Sequence, residues 1–496
     1  MYMGCVDMNL QRRSLLKGIG AAGVSLAFAG HASGADSGVQ HVVLTGGNGV
    51  RRRLERNGFE VKQELADGGV LVVHGPDDGL TSIRGVDNAY RDVRFELERP
   101  AREAFAEGTD LEPPKFYEDF LWDKQVTESL EANQIATGDG SSIAIIDTGC
   151  DYKHPDLTPN LDAEAGRRFK NGEVDSGTEE NVVVGRPAPD DSDLDFDIEF
   201  AEQNVADDVE GHGTHVGGIA AAADADAVGT GVIGTAPDAE LVPYRVFWWI
   251  EVGTDDDPVD ERWAPTTTTA DILTAIDTAS REGYDAVNLS LGTPPLPPET
   301  NSTGIKTAYQ RVIQAAATRG TLVAASAGNS EANLQQGGFF TVPNSVAGAV
   351  SVSATAPNDE IAFYSNFGTN EIDVGAPGGG YETFEKTFAT EGVEWPFPRN
   401  LVFSTTSPRV EGEAYGWKAG TSMAAPQVAG LAALVRELEP DANANQVEQA
   451  IKRGAELANG RSDQEFGAGR INALNTVKAL ADDGGRGGGP GGGNGN

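Results

Sequence analysis

A chain of 496 residues with a formal net charge of −39 and a pI near 4.4 excludes two classes of partner at once. A surface that acidic repels nucleic acid and anionic membranes. Only 39% of the residues are hydrophobic, yet long apolar runs punctuated by glycine exclude a disordered acidic chain. The acidity is spread along the whole length, as suits a folded surface in concentrated salt, where counterions screen self-repulsion.

In chain order, the first signal is 9-NLQRRSLLKGIGAAGVSLAFAGHASGADS-37. Arg12-Arg13, a short apolar stretch and small residues resemble a twin-arginine export signal over residues 1–35, too short to span a bilayer. No cysteine follows the apolar stretch, so no lipid anchor is expected. Cys5 leaves with this leader, and Cys150 alone forms no internal disulfide. The expected product is secreted, extracellular and monomeric. Residues 36–112 read as a separate βαββαβ unit: strand 41–47, helix 48–58, strands 59–65 and 70–75, then a second helix and a strand ending in 92-DVRFELE-98. Its place between a leader and a larger domain suggests a propeptide. Residues 99–120 suit an exposed, cleavable connection.

From residue 113 to 482, strand-like runs alternate with helical patterns. 141-SSIAIIDTG-149, 241-LVPYRVF-247, 285-DAVNLSLG-292, 321-TLVAASAGN-329 and 349-AVSVSAT-355 are the strands. Such alternation predicts an α/β domain, a mostly parallel central sheet with helices on both faces. The tail, residues 483–496, is glycine-rich and has nothing to bury.

Three motifs place chemistry at element ends. Asp147 closes an apolar strand in IAIIDTG, His212 opens an alanine-rich helix in 211-GHGTHVGGIAAAA-223, and Ser422 opens the helix of 418-KAGTSMAAPQVAGLAALVREL-438. In that helix Met423, Val428, Leu431, Leu434, Val435 and Leu438 recur at three- and four-residue steps. Taken alone, Ser422 reads first as an N-cap, the commonest job for a serine in that place. Taken together, the three supply a nucleophile, a proton acceptor and a carboxylate to orient it. Asn329, after a buried strand and a glycine, offers an amide donor to an oxyanion beside the Ser422 N–H.

The ordered set IAIIDTG, GHGTHV, SLG, SAGN and GTSMAAP resembles the subtilisin-like serine proteases, and with its acidity and leader the chain resembles their haloarchaeal halolysin group. The likeness covers about residues 115–480, and the preceding unit resembles the family's inhibitory propeptide. It implies a three-layer subtilisin-like fold and a self-processed endopeptidase precursor, with peptide substrates and its own propeptide as partners. Asp147, His212 and Ser422 become the triad and Asn329 the oxyanion donor, while His215 aligns with a structural histidine. Ser290-Leu291-Gly292 and Ser326-Ala327-Gly328 would wall an open pocket for an apolar or aromatic residue before the scissile bond. Asp156 matches a ligand of a structural calcium, although the partner loop 224–237 lacks the usual asparagine; no cofactor serves the chemistry. The run 191–197 reads as a solvated acidic face. Insertions at 189–200, 248–263 and 379–404 would decorate the cleft rim. Cys150, three residues past Asp147, reads as a small buried hydrophobe; the alternative is a thiol near enough to the triad to make the enzyme sensitive to mercurials.

Overall fold

The computed structural model describes residues 39–97, 116–184, 199–223, 231–251, 263–457 and 463–484. The leader and most of the glycine-rich tail lie outside them, as do the acidic run 191–197 and most of the cleavable connection. Two sheets organise the rest. The first comprises β1 (Val39–Thr45), β2 (Glu60–Leu65), β3 (Val70–Gly75) and β4 (Val86–Arg91), in the order β2-β3-β1-β4, all antiparallel. Helix α1 (Val50–Arg56) connects β1 to β2. Alternation along β1 and β3 divides their side chains: Val43, Leu71 and Val73 meet Val50, Leu54 and Phe59 in a small core, while Val42, Leu44, Val70 and Val72 face the larger domain.

The second helix expected in this unit is a single 3-10 turn, Leu80–Ser82. Gly79 (φ 88°) and Gly85 (φ 91°) bracket it, and the residues between them are too few for a stable α-helix. The strand expected to end at residue 98 is also different. The chain turns at Asp92, and β5 (Arg94–Glu96) leaves the first sheet to pair elsewhere.

The central sheet holds β6 (Ser142–Asp147), β7 (Arg167–Lys170), β8 (Glu173–Ser176), β11 (Glu240–Arg245), β14 (Ala286–Leu289), β15 (Leu322–Ser326), β16 (Ala349–Thr355) and β17 (Val374–Pro377). Its order is β17-β16-β15-β14-β6-β11-β7-β8, parallel except for the antiparallel edge β8. The strands are buried on both faces, which is why they read as unbroken apolar runs. On one face lie α2 (His212–Ala221) and α5 (Thr421–Leu438); on the other lie α3 (Thr269–Glu282) and α4 (Ile305–Arg319), each in a separate core cluster. This is the subtilisin-like α/β architecture, with the small α+β unit seated on α3 and α4.

Smaller hairpins border the sheet. β9 (Thr178–Val184) pairs with β10 (Glu199–Asn204), β12 (Trp248–Glu251) with β13 (Trp263–Thr268), and β18 (Val402–Thr405) with β19 (Tyr415–Lys418). The insertion at 379–404 packs around a chain of rings, Phe384 on Phe388 at 4.8 Å and Phe388 on Phe397 at 4.9 Å. No helix among the described residues is long and apolar enough to cross a membrane.

Candidate active site

The three motifs meet at the carboxyl ends of the parallel strands, where open α/β sheets place their sites. Asp147 ends β6 and is fully buried. Glycine makes its approach to α2 possible: a Cβ on Gly213 would lie 2.0 Å from the Gly149 carbonyl oxygen, and Gly149 itself holds φ at 107°. Strand end and helix start therefore touch backbone to backbone. Asp147 Oδ1 lies 2.8 Å from His212 Nδ1 and accepts from the Thr148 N–H at 2.7 Å. A carboxylate only accepts, so Nδ1 carries the proton and Nε2 keeps its lone pair for a nucleophile. Burial disfavours the imidazolium, but the charge and hydrogen bond of Asp147 outweigh it and hold His212 above its ordinary value.

Ser422 is the second residue of α5, where the first N–H groups have no partner within the helix. Pro426 has no N–H, so it cannot bond the Ser422 carbonyl four residues back. Ser290 takes that place, its hydroxyl donating to Ser422 O at 2.7 Å. The Ser422 hydroxyl itself points to the Ser290 carbonyl at 3.3 Å. No hydrogen bond joins it to His212 Nε2, which has no partner among the described residues. Such contacts commonly tighten only with substrate present. Ser422 is 4% exposed and His212 1%, so the full-length chain holds its reactive groups covered.

Asn329 follows β15. Its carbonyl oxygen accepts from the Thr421 N–H at 2.8 Å and the Thr421 hydroxyl at 2.9 Å, which fixes that end of the amide as the acceptor and leaves its NH₂ as a donor. Ser290, Leu291, Ser326 and Ala327 are buried around it, with Gly292 and Gly328 beside them. Leu291 and Gly292 border a depression that also includes Phe247, Ile272, Tyr309 and Val342. Phe95 of β5 is buried there, 7% exposed. β5 runs antiparallel to β13, with Phe95 opposite Thr267 and the Leu97 N–H donating to the Pro265 carbonyl at 2.9 Å. A segment of this chain thus lies on the cleft edge as an added strand.

His215, three residues beyond His212, is fully buried and bonds the Gly416 carbonyl at 3.2 Å. Burial, then the charge of Lys418, lower its proton affinity well below the ordinary value, so it is a neutral tie between α2 and β19. Asp156 is engaged by protein donors, the Val232 N–H at 2.9 Å and the Tyr415 hydroxyl at 2.8 Å, both on Oδ2. Among the described residues no three His, Cys, Asp or Glu side chains gather to hold a metal, and residues 224–230 of the expected partner loop lie outside them. Cys150 is fully buried, with Sγ 3.6 Å from the Gly213 carbonyl oxygen, and burial pushes its thiol well up.

Asp208 organises the histidine loop and escaped the motif reading. Its Oδ1 accepts from the Thr148 hydroxyl (2.8 Å) and the N–H groups of Glu210 (2.9 Å) and Gly211 (2.8 Å), and its Oδ2 from the Thr214 N–H (2.8 Å). The Thr148 hydroxyl in turn accepts from the Gly213 N–H at 2.8 Å. One carboxylate thus ties the residue after Asp147 to the residues around His212. A carboxylate just ahead of a helix start was the available signal. The neighbouring Asp207 is gripped at both oxygens by Arg409, at 2.7 Å each, from the β18–β19 hairpin.

The subtilase family model, Peptidase_S8, matches residues 138–469. The thermophilic serine proteinase of Bacillus sp. (strain AK1) is 30% identical over 79% of this chain and 73% of its own length. Thermitase of Thermoactinomyces vulgaris is 29% identical over 71% and 94%. The epidermin leader peptide processing serine protease of Staphylococcus aureus shares the fold, with a TM-score of 0.64 at 19% identity over 89% of this chain and 98% of that one. The chain belongs to the subtilase family and is a subtilisin-like serine endopeptidase acting on peptides.

Proposed function

We propose that this chain is a secreted, halophilic endopeptidase made as a self-processed precursor, of the kind found in the halolysin group. Asp147, His212 and Ser422 form its triad. His212 Nε2 takes the Ser422 proton as Oγ attacks the carbonyl carbon of the scissile peptide. The oxyanion receives hydrogen bonds from Asn329 Nδ2 and the Ser422 N–H. The imidazolium then protonates the leaving amine, and the peptide C–N bond breaks to leave an acyl-serine. Water, deprotonated by the same imidazole, hydrolyses that ester and restores the hydroxyl. Ser290–Gly292 and Ser326–Gly328 hold the residue before the scissile bond, with a preference for apolar or aromatic side chains. The observation that carries this reading is the 2.8 Å contact of Asp147 with His212 beside a helix headed by Ser422.

Residues 36–112 act as the propeptide. The β5 strand on the cleft edge and the burial of Ser422 support autoinhibition. The acidic composition supports work in concentrated salt, and the leader supports twin-arginine export. Structural calcium at Asp156 belongs to the same reading only as a stabilising ion. A phosphonofluoridate should label Ser422 alone, and Ser422→Ala should accumulate as intact precursor. Normal processing of that variant would refute self-cleavage, and labelling elsewhere would refute the triad.

A further inference from the structure

We propose that Lys418 and Glu411, an ion pair buried in the β18–β19 hairpin, are positioning residues for His212 that balance the negative charge around its ring. The inference rests on the reading of His212 as the base and adds two residues that govern it.

The hairpin grips the histidine helix directly. The Ser404 hydroxyl donates to the His215 carbonyl at 2.9 Å, and the Thr405 hydroxyl to the Thr214 carbonyl at 2.8 Å. Gly218 permits this approach, since a Cβ there would overlap both hydroxyls. Between the strands, the helical turn Pro408–Glu411 meets the loop ahead of α2. There the Ser407 hydroxyl donates to Asp151 Oδ2 at 2.6 Å, and Arg409 holds Asp207. The Glu411 carboxylate packs on the backbone of Gly211, the residue before His212, where a Cβ would overlap Oε1. Lys418 ends β19, just ahead of the Ser422 helix, and reaches back to Glu411 Oε1 at 2.9 Å. Its side chain is 1% exposed and that of Glu411 5%.

Burying such a pair is costly, and apolar residues of the same volume often hold a fold as well or better. What apolar residues would not supply is charge beside His212. Asp147 from β6 bonds Nδ1, and Glu210 in the loop accepts from the His212 N–H at 3.1 Å through Oε2. Burial and the Lys418 ammonium disfavour the imidazolium, whereas Asp147 and Glu210 favour it. Glu411 tempers Lys418 in turn. Asp208 is committed to donors of the loop itself, Asp207 is neutralised by Arg409, and His215 on α2 is neutral. Without the ammonium, the carboxylates would keep the ring protonated to higher pH, and a protonated ring cannot take the Ser422 proton. Packed on Gly211, the pair keeps the base available.

The test uses full-length Ser422→Ala, whose His212 can be titrated whether or not the wild type cuts itself. Isotope-labelled histidine rings are followed by NMR between about pH 4 and pH 10, a range that brackets ordinary histidine titration. The His212 signal is assigned by its loss in His212→Gln. Lys418→Met should raise the His212 midpoint by roughly half a pH unit or more, and Glu411→Gln should lower it by a similar amount. The variant carrying both changes should return close to the parent, because the two charges removed cancel. Both single shifts should persist in concentrated salt, since buried charges are screened little. An unmoved midpoint, two shifts of the same sign, or shifts abolished by salt overturn the proposal; a mere packing defect would not produce opposite signs. If Lys418→Met does not fold, Glu411→Gln, which keeps the shape of the side chain, decides alone. Failure of His212 as the base would show separately, as a kcat/KM of the processed wild type that does not follow the His212 midpoint.

Discussion

The two faces of the central sheet do opposite jobs. On one, α2 is buried at every residue, α5 is buried from Thr421 to Val435, and together they carry His212 and Ser422. On the other, α3 and α4 present charge to a separate cover. Asp277 Oδ1 accepts from the Ala66 N–H at 3.0 Å, Arg319 pairs with Asp67 at 2.9 Å, and Arg311 donates to the carbonyls of Thr45 (2.9 Å) and Gly69 (2.8 Å). The first face is a close-packed apolar core that fixes geometry. The second adds to the apolar contacts of Val42, Leu44, Val70 and Val72 a set of polar ones that water can replace when the units part, as the proposed removal of the N-terminal unit requires.

Changes on the site face should cost the most. Asp147→Asn should lower kcat about 10⁴-fold by losing the tautomer that frees Nε2. The sign of its pH effect follows from the same contact. Asp147 holds His212 above its ordinary value, and the neutral imidazole is the active form, so wild-type kcat/KM falls as pH drops through that raised value. Removing the charge should move this acid limb downward; an unmoved limb would separate Asp147 from the base. Asn329→Ala should cost about 10²–10³ in kcat with KM nearly unchanged, and a loss confined to KM would assign it to substrate binding instead.

Changes on the cover face should leave catalysis alone. Arg311→Ala with Arg319→Ala should leave kcat of the processed enzyme unaltered and speed the appearance of activity. These side chains are 31% and 20% exposed, so screening limits the expected loss of precursor stability to about 1 kcal/mol per ion pair. An unchanged time course in the double variant would mean that the apolar contacts alone hold the cover. The smallest effect is expected at Cys150, fully buried with its thiol pushed up. Organomercurials should leave the folded enzyme active at short times, as the reading of Cys150 as a small buried hydrophobe expects; rapid inhibition would show that the core opens there.

The site face was the more legible in sequence. β16 spans the same residues in both readings, 349–355, because a strand buried on both sides is written as one apolar run. Asp147, His212, Ser422 and Asn329 each sit beside a glycine or threonine that a turn or close approach demands, so local chemistry marked them. Asp207 and Arg409 were not marked, since their pairing exists only once a loop and a distant hairpin meet. The cover face was harder. Asp92 lies within 92-DVRFELE-98, which reads as strand, and only the packed structure shows a chain reversal and a helix start competing for its carboxylate. The 3-10 turn at Leu80–Ser82 was misread because its length, rather than its composition, decided the outcome.

The proline in α5 has a consequence for how Ser422, the proposed nucleophile, is held. Because Pro426 removes the rung that would tie Ser422 O to the rest of the helix, the reactive residue is anchored to strand-end Ser290 on the sheet side. Bending or breathing of the long helix is not passed to it through that hydrogen bond. The nucleophile keeps the helix's field while taking its position from the stiffer support.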